Sequence, residues 1–149
     1  MESPFTHEYF MRKAFIEAEK AFDKNEVPIG AVIVIGDKII ARAHNLTETL
    51  NDVTAHAEMQ AFTAAADYLG GKYLKKCILY VTMEPCQMCA GASYWTQIDQ
   101  IIFGAYDPQR GFQRHKTVIH PKTTVIGGVM EKECSEIISR FFIEKRNLN

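Results

Sequence analysis

Pro28-Ile29-Gly30-Ala31-Val32-Ile33-Val34-Ile35 is a nearly unbroken apolar run, with no polar residue on either alternate set of positions. A strand with one wet face would alternate polar and apolar residues, so this run reads as a strand covered on both faces. Gly36-Asp37 then makes a turn, and Lys38 to Ala43 returns as the second strand of a hairpin. Upstream, Phe10, Ala14, Ala18 and Phe22 recur every four residues, which predicts an amphipathic helix from about Thr6 to Asp23. Downstream, Asn45 to Thr54 is polar and reads as a loop. A helix is expected over about Ala55 to Tyr68, with Met59, Phe62 and Ala66 on one stripe and a stop at Gly70-Gly71.

Cys77 to Thr82 repeats the buried-strand composition. Pro85 suits the first turn of a helix running to about Thr96, because its missing N–H would have no intrahelical partner there. Gln100 to Gly104 is a short strand, Tyr106 to Lys122 an irregular loop, and Thr124 to Ile126 a last strand. Glu131 to Arg146 closes the chain as a helix with Ile137, Ile138, Phe141 and Phe142 turned inward. Helices alternating with buried strands predict an α/β protein, a three-layer α/β/α sandwich around a mixed sheet of about five strands.

The 149 residues suit one domain spanning the whole chain, and they show no repeat, low-complexity stretch or dividing linker. Apolar and charged shares of 47% and 23% exclude disordered and collagen-like classes. The longest apolar runs fall far short of the roughly 20 residues of a membrane span. No basic-then-apolar leader opens the sequence, so a cytoplasmic protein with no membrane partner is expected. Without a secretion signal, a disulfide framework is not expected for the four cysteines. Cys77 and Cys134 lie in apolar contexts and read as small buried hydrophobes. The net charge of −1 gives no argument for a nucleic-acid partner and excludes none, since a local basic patch can act alone.

The chemistry sits in two short segments, His56-Ala57-Glu58 and Pro85-Cys86-Gln87-Met88-Cys89, each at an expected helix start. Residues three apart share a helix face, so Cys86 and Cys89 can point at one metal, with His56 arriving from the other helix. Zinc suits this mixed donor set, and three protein ligands leave a fourth tetrahedral position for water. Zinc brings the pKa of such a water to about 7. Glu58, two residues past His56, can reach that water without being a ligand and can move its proton. A lone Cys-x-x-Cys is often half of a structural site or a redox pair. Here, however, both halves of the zinc-deaminase pattern His-x-Glu…Pro-Cys-x-x-Cys occur in order.

Around these motifs stand Glu26-Val-Pro-Ile-Gly-Ala-Val32, Ala43-His-Asn45, Thr54 to Met59, Leu79 to Ala92, Phe103 to Pro108, and Gly128 to Phe142. In these stretches the chain resembles bacterial tRNA-specific adenosine deaminases, which have the cytidine-deaminase-like fold. The resemblance covers nearly the whole chain. It implies conversion of the wobble adenosine of a tRNA anticodon to inosine, with one zinc per subunit in a homodimer. It also implies that Asn45 hydrogen-bonds the purine and that the Ala57 backbone holds the base. Val27, Pro28 and Ile29 would form part of the pocket wall. Glu58 would protonate the ring and then the departing amine.

The chain departs from the family pattern in a shortened Asp107 to Gly128 loop, and His120-Pro121-Lys122 stands where the family has Asn-His-Arg. That loop still offers Arg110, Arg114, Lys116 and Lys122 for RNA, with Phe112 to stack on a base. Tyr94-Trp95 resembles bacterial guanine deaminases instead. Two other readings therefore stand beside the first. One is a small-molecule deaminase of guanine, cytosine or a nucleoside. The other is a non-catalytic zinc module that binds RNA or protein, which would have no use for Glu58.

Overall fold

In the computed structural model, which describes residues 3–148, the apolar run is the strand β1 (Gly30–Ile35) near the middle of a five-stranded sheet. The other strands are β2 (Lys38–His44), β3 (Cys77–Met83), β4 (Gln100–Ala105) and β5 (Thr124–Ile126), in the order β2-β1-β3-β4-β5. β1 is antiparallel to β2 and β3, whereas β3, β4 and β5 run parallel, so the sheet is mixed. The helices are α1 (His7–Asp23), α2 (Ala57–Leu69), α3 (Gln87–Thr96) and α4 (Glu131–Asn147).

Alternate strand residues divide between two cores, as strand geometry requires. Ala31, Ile33, Leu79, Val81, Ile101 and Phe103 face Ala57, Ala61, Phe62 and Ala65 of α2 and Ala90 of α3. Val32, Val34, Tyr80 and Ile102 face Phe10, Met11 and Ala14 of α1 and Cys134 of α4. This is the three-layer sandwich that the unalternating strands predict. α1 lies so close to β1 that a Cβ on Gly30 would run into the Ala14 carbonyl and the Ala18 nitrogen. Cys77 and Cys134 are buried free thiols, as expected. Among the described residues, no helix is long and apolar enough to cross a membrane.

Two helix starts differ from expectation by a residue or two. α2 begins at Ala57 with His56 as its N-cap, and α3 begins at Gln87 with Cys86 as its N-cap. Both caps have extended backbones (ψ 154° and 176°), so Pro85 stands just outside the helix and not in its first turn. In α4, Ile137 and Phe141 are buried as expected, but Ile138 is only partly buried and Phe142 is 48% exposed. An inward stripe on a helix is narrower than the run of apolar residues suggested.

Candidate metal centre and cavity

One end of the sheet gathers the site. β1 begins there, while β2, β3 and β4 end there, because Gly30 pairs with His44, Ala31 with Val81 and Met83 with Ala105. The segments leaving that end carry Val27 to Ile29, Asn45, Met83 to Cys86 and Asp107 to Arg110. α2 and α3 also start there, so both N-cap residues open onto the same space.

His56 Nδ1 lies 3.5 Å from Cys86 Sγ and 3.5 Å from Cys89 Sγ. Tetrahedral zinc with ordinary Zn–S and Zn–N bonds separates such atoms by about 3.6 Å. The three ligand atoms all fall within 4.8 Å of one another, so donor chemistry and spacing both fit zinc.

The electrostatics are those of a coupled cluster. The Cys86 thiol is lowered to about 4, chiefly by the hydrogen bond from Cys89 and further by His56, against the opposing effect of burial. Cys89 is pushed up in return, because it holds the shared proton and is buried. His56 is raised by its hydrogen bond to Cys86, and a backbone bond to Val53 adds to this. Glu58 is buried and pushed up to about 7, first by burial and then by the charge on Cys86. A zinc ion bound there would hold both thiols as thiolates.

Above the cluster is a cavity of about 500 Å³. His56, Ala57, Glu58 and Cys86 line its floor, and Val27, Ile29, Asn45 and Arg110 stand around it. Asn45 is 5% exposed, and its Nδ2 reaches Thr47 Oγ1 at 3.5 Å, the outer limit of a hydrogen bond. Its backbone N–H donates to the Ile29 carbonyl at 3.0 Å, which fixes the residue against the β1 entry. The Gln60 amide donates to the His44 carbonyl at 2.8 Å and the Ala55 carbonyl at 3.1 Å, tying the Asn45 segment to α2.

Pro28 is buried but does not line the cavity, in contrast to its neighbours Val27 and Ile29. Phe112 corrects a further expectation. It is 5% exposed and packed in the core under α2 and α3, so its ring is not available to a base. Its backbone N–H donates to the Pro85 carbonyl at 2.9 Å, which seats the residue beside the α3 start and lets the sheet absorb the ring. Arg110 is exposed at the cavity, whereas Arg114, Lys116 and Lys122 are exposed without lining it.

The cavity also uses residues that sequence reasoning missed: Thr47, Met83, Glu84, Asp107, Gln109, Ile138 and Phe142. Glu84 and Asp107 lie inside the stretches already singled out, next to the motif residues. Ile138 and Phe142 gave no separate signal, since an apolar pair four apart looks the same in a core as at a cavity mouth.

Fold, donor set and cavity together define a zinc-dependent deaminase. Residues 4–105 match the cytidine and deoxycytidylate deaminase zinc-binding region, and the chain belongs to that family. The tRNA-specific adenosine deaminase of Bacillus subtilis is 45% identical over 93% of this chain and 90% of its own length. A solved chain from work on A-to-I editing by tRNA:A34 deaminases is 42% identical, with a TM-score of 0.79 over 87% of this chain and 98% of that one. The guanine deaminase of Bacillus subtilis is 41% identical, but its TM-score is 0.65 and it covers 68% of this chain and 65% of its own.

Proposed function

We propose that this chain, acting as a single domain from residue 1 to 149, hydrolyses adenosine to inosine at the wobble position of a tRNA anticodon. The observation that carries the reading is the buried Glu58 beside the His56, Cys86 and Cys89 cluster, on the floor of a cavity large enough for a base. A non-catalytic zinc module would gain nothing from a buried carboxylate there. Near full-length sequence similarity to tRNA-specific adenosine deaminases, at 42% to 45% identity, favours the RNA substrate.

His56, Cys86 and Cys89 would hold one zinc ion per subunit, which would supply a water acidified to near neutrality. Glu58 would take a proton from the attacking water as oxygen adds to purine C6, and would pass it to ring N1. Glu58 then moves the second proton to the amine, the C6–N bond breaks, and adenosine plus water has become inosine plus ammonia. A buried carboxyl beside the three ligands is suited to both taking and giving a proton. Asn45 hydrogen-bonds the purine, the Ala57 backbone holds it, and Val27 and Ile29 form the wall. An anticodon loop is single-stranded, so its base enters without the opening of a duplex. Arg110 meets the RNA backbone at the mouth.

The same reading places the protein in the cytoplasm as a homodimer. Leu50, Val53 and Trp95 leave apolar side chains 55%, 85% and 77% exposed, and a shallow hollow along α2 includes Leu50, Ala55 and Met59. Light scattering would show twice the chain mass.

The test offers zinc-loaded protein a tRNA with wobble adenosine, free adenosine, guanine and cytosine. Inosine in the tRNA alone supports the reading. Ammonia from a free base with the tRNA unmodified replaces it with a small-molecule deaminase.

A further inference from the structure

Glu84 is a buried carboxylate that the proposed chemistry does not use. It stands between Met83, the last residue of β3, and the Pro85-Cys86 turn. Its own N–H donates to the Ala105 carbonyl at 2.8 Å, which fixes its backbone to the end of β4. Its Oε1 accepts the Asp107 N–H at 3.0 Å and its Oε2 accepts the Gln113 N–H at 3.1 Å. The two oxygens thus grip both ends of one seven-residue loop.

Within that grip the loop closes on itself and on the metal-side turn. The Gly111 N–H donates to the Asp107 carbonyl at 3.0 Å, and Gly111 pairs with Cys86 as an isolated bridge. The Asp107 carboxylate accepts the Gln109 and Arg110 N–H groups at 3.1 and 2.9 Å. Phe112 plugs the far side into the core. A Cβ on Gly111 would run into the Glu84 carboxylate and the Asp107 carbonyl, so the latch closes only over a glycine. Asp107, Gln109 and Arg110 all line the cavity.

We propose that Glu84 is a positioning residue: it latches the Asp107 to Gln113 loop onto the Cys86 turn and so sets where Arg110 stands at the cavity mouth. A carboxylate is required because both contacts are N–H donors. A glutamine has one acceptor oxygen and would turn an NH₂ towards the other donor. The consequence for RNA rests on the proposed function, but the latch itself does not.

The test uses full-length, zinc-loaded wild type, Glu84→Gln, Gly111→Ala, Arg110→Ala and the Glu84→Gln/Arg110→Ala double variant. Amide exchange over 107–113, zinc content, and kcat and KM on an anticodon stem-loop with wobble adenosine are measured. Loss of a bond to a charged acceptor predicts about tenfold faster exchange at the Asp107 and Gln113 amides in both latch variants, with zinc retained. KM rises about tenfold while kcat carries little of the loss. In the Arg110→Ala background, Glu84→Gln adds almost nothing to KM, because the latch acts through that arginine.

Unchanged exchange in Glu84→Gln and Gly111→Ala would overturn the latch. Additive KM effects, or a loss confined to kcat and zinc content, would overturn its role at the mouth. Should Glu84→Gln fail to fold, Gly111→Ala tests the same contact from the other side. A wild type inactive on the stem-loop would refute the RNA reading and leave the exchange result to judge the latch.

Discussion

Glu26 and Glu58 are both buried carboxylates close to the same cavity, and they hold protons in opposite ways. At Glu26, burial favours the neutral acid, but three donors outweigh it. Thr49 gives both its N–H and its hydroxyl at 2.6 Å, and Glu48 gives its N–H at 3.0 Å. Glu26 is therefore lowered below 4.5 and remains an anion that ties the Glu48-Thr49 loop to the strand entry beside Val27. At Glu58 burial wins, Cys86 adds a like charge, and the group is pushed up to about 7. Three donors hold Glu26 as the anion, whereas burial and the neighbouring Cys86 charge push Glu58 towards the acid. One carboxylate serves the scaffold, and the other is left free to exchange a proton.

The sharpest break of this comparison is Glu58→Gln. It should lower kcat by about 10²–10⁴-fold, with the melting curve and zinc content held, as a single-turnover assay would show. A large loss of stability with modest loss of rate would instead make Glu58 a scaffold group like Glu26. Next in size is Phe112→Ala, which removes a core ring and should cost about 3–5 kcal/mol in denaturant unfolding. A base-stacking residue would show weaker RNA binding with unchanged stability.

Glu26→Gln should cost about 1–3 kcal/mol near neutral pH and leave kcat almost intact. The pH dependence fixes the sign. A carboxylate whose native pKa is lowered contributes stability fully above its unfolded value, near 4.5, and loses it as pH falls through the lower native value. Unfolding midpoints of wild type and Glu26→Gln should therefore converge on acidification below about pH 4.5, whereas parallel curves would remove the charge from the argument. Smallest is Arg110→Ala, which should reduce the salt slope of RNA binding by about one. An unchanged slope would place Arg110 off the RNA path.

The fold was legible because β1 and β3 carry apolar residues on both faces, and only a sheet covered twice explains that. The ligand set was legible because its residues are local, within one helix start each, and because few other combinations suit an open zinc site. What escaped detection was non-local. Phe112 sits among glycine, glutamine and basic residues that look solvated, and the Pro85 carbonyl, the bridge from Gly111 to Cys86 and the Glu84 contacts on either side turn it inward. Phe142 belongs to an apolar pattern whose inner and outer edges depend on what α4 packs against. Glu84 and Glu26 were single carboxylates in sequence, and their roles come from backbone donors 22 to 29 residues away.

The most direct test is a zinc titration of chelator-stripped protein, with inosine formation in a wobble-adenosine tRNA as the readout. The account predicts no activity without metal and a linear rise that saturates at one zinc per chain, in step with the loss of two titratable thiols. Full activity in the stripped protein, or one zinc bound tightly with no deamination of any nucleobase, would contradict it.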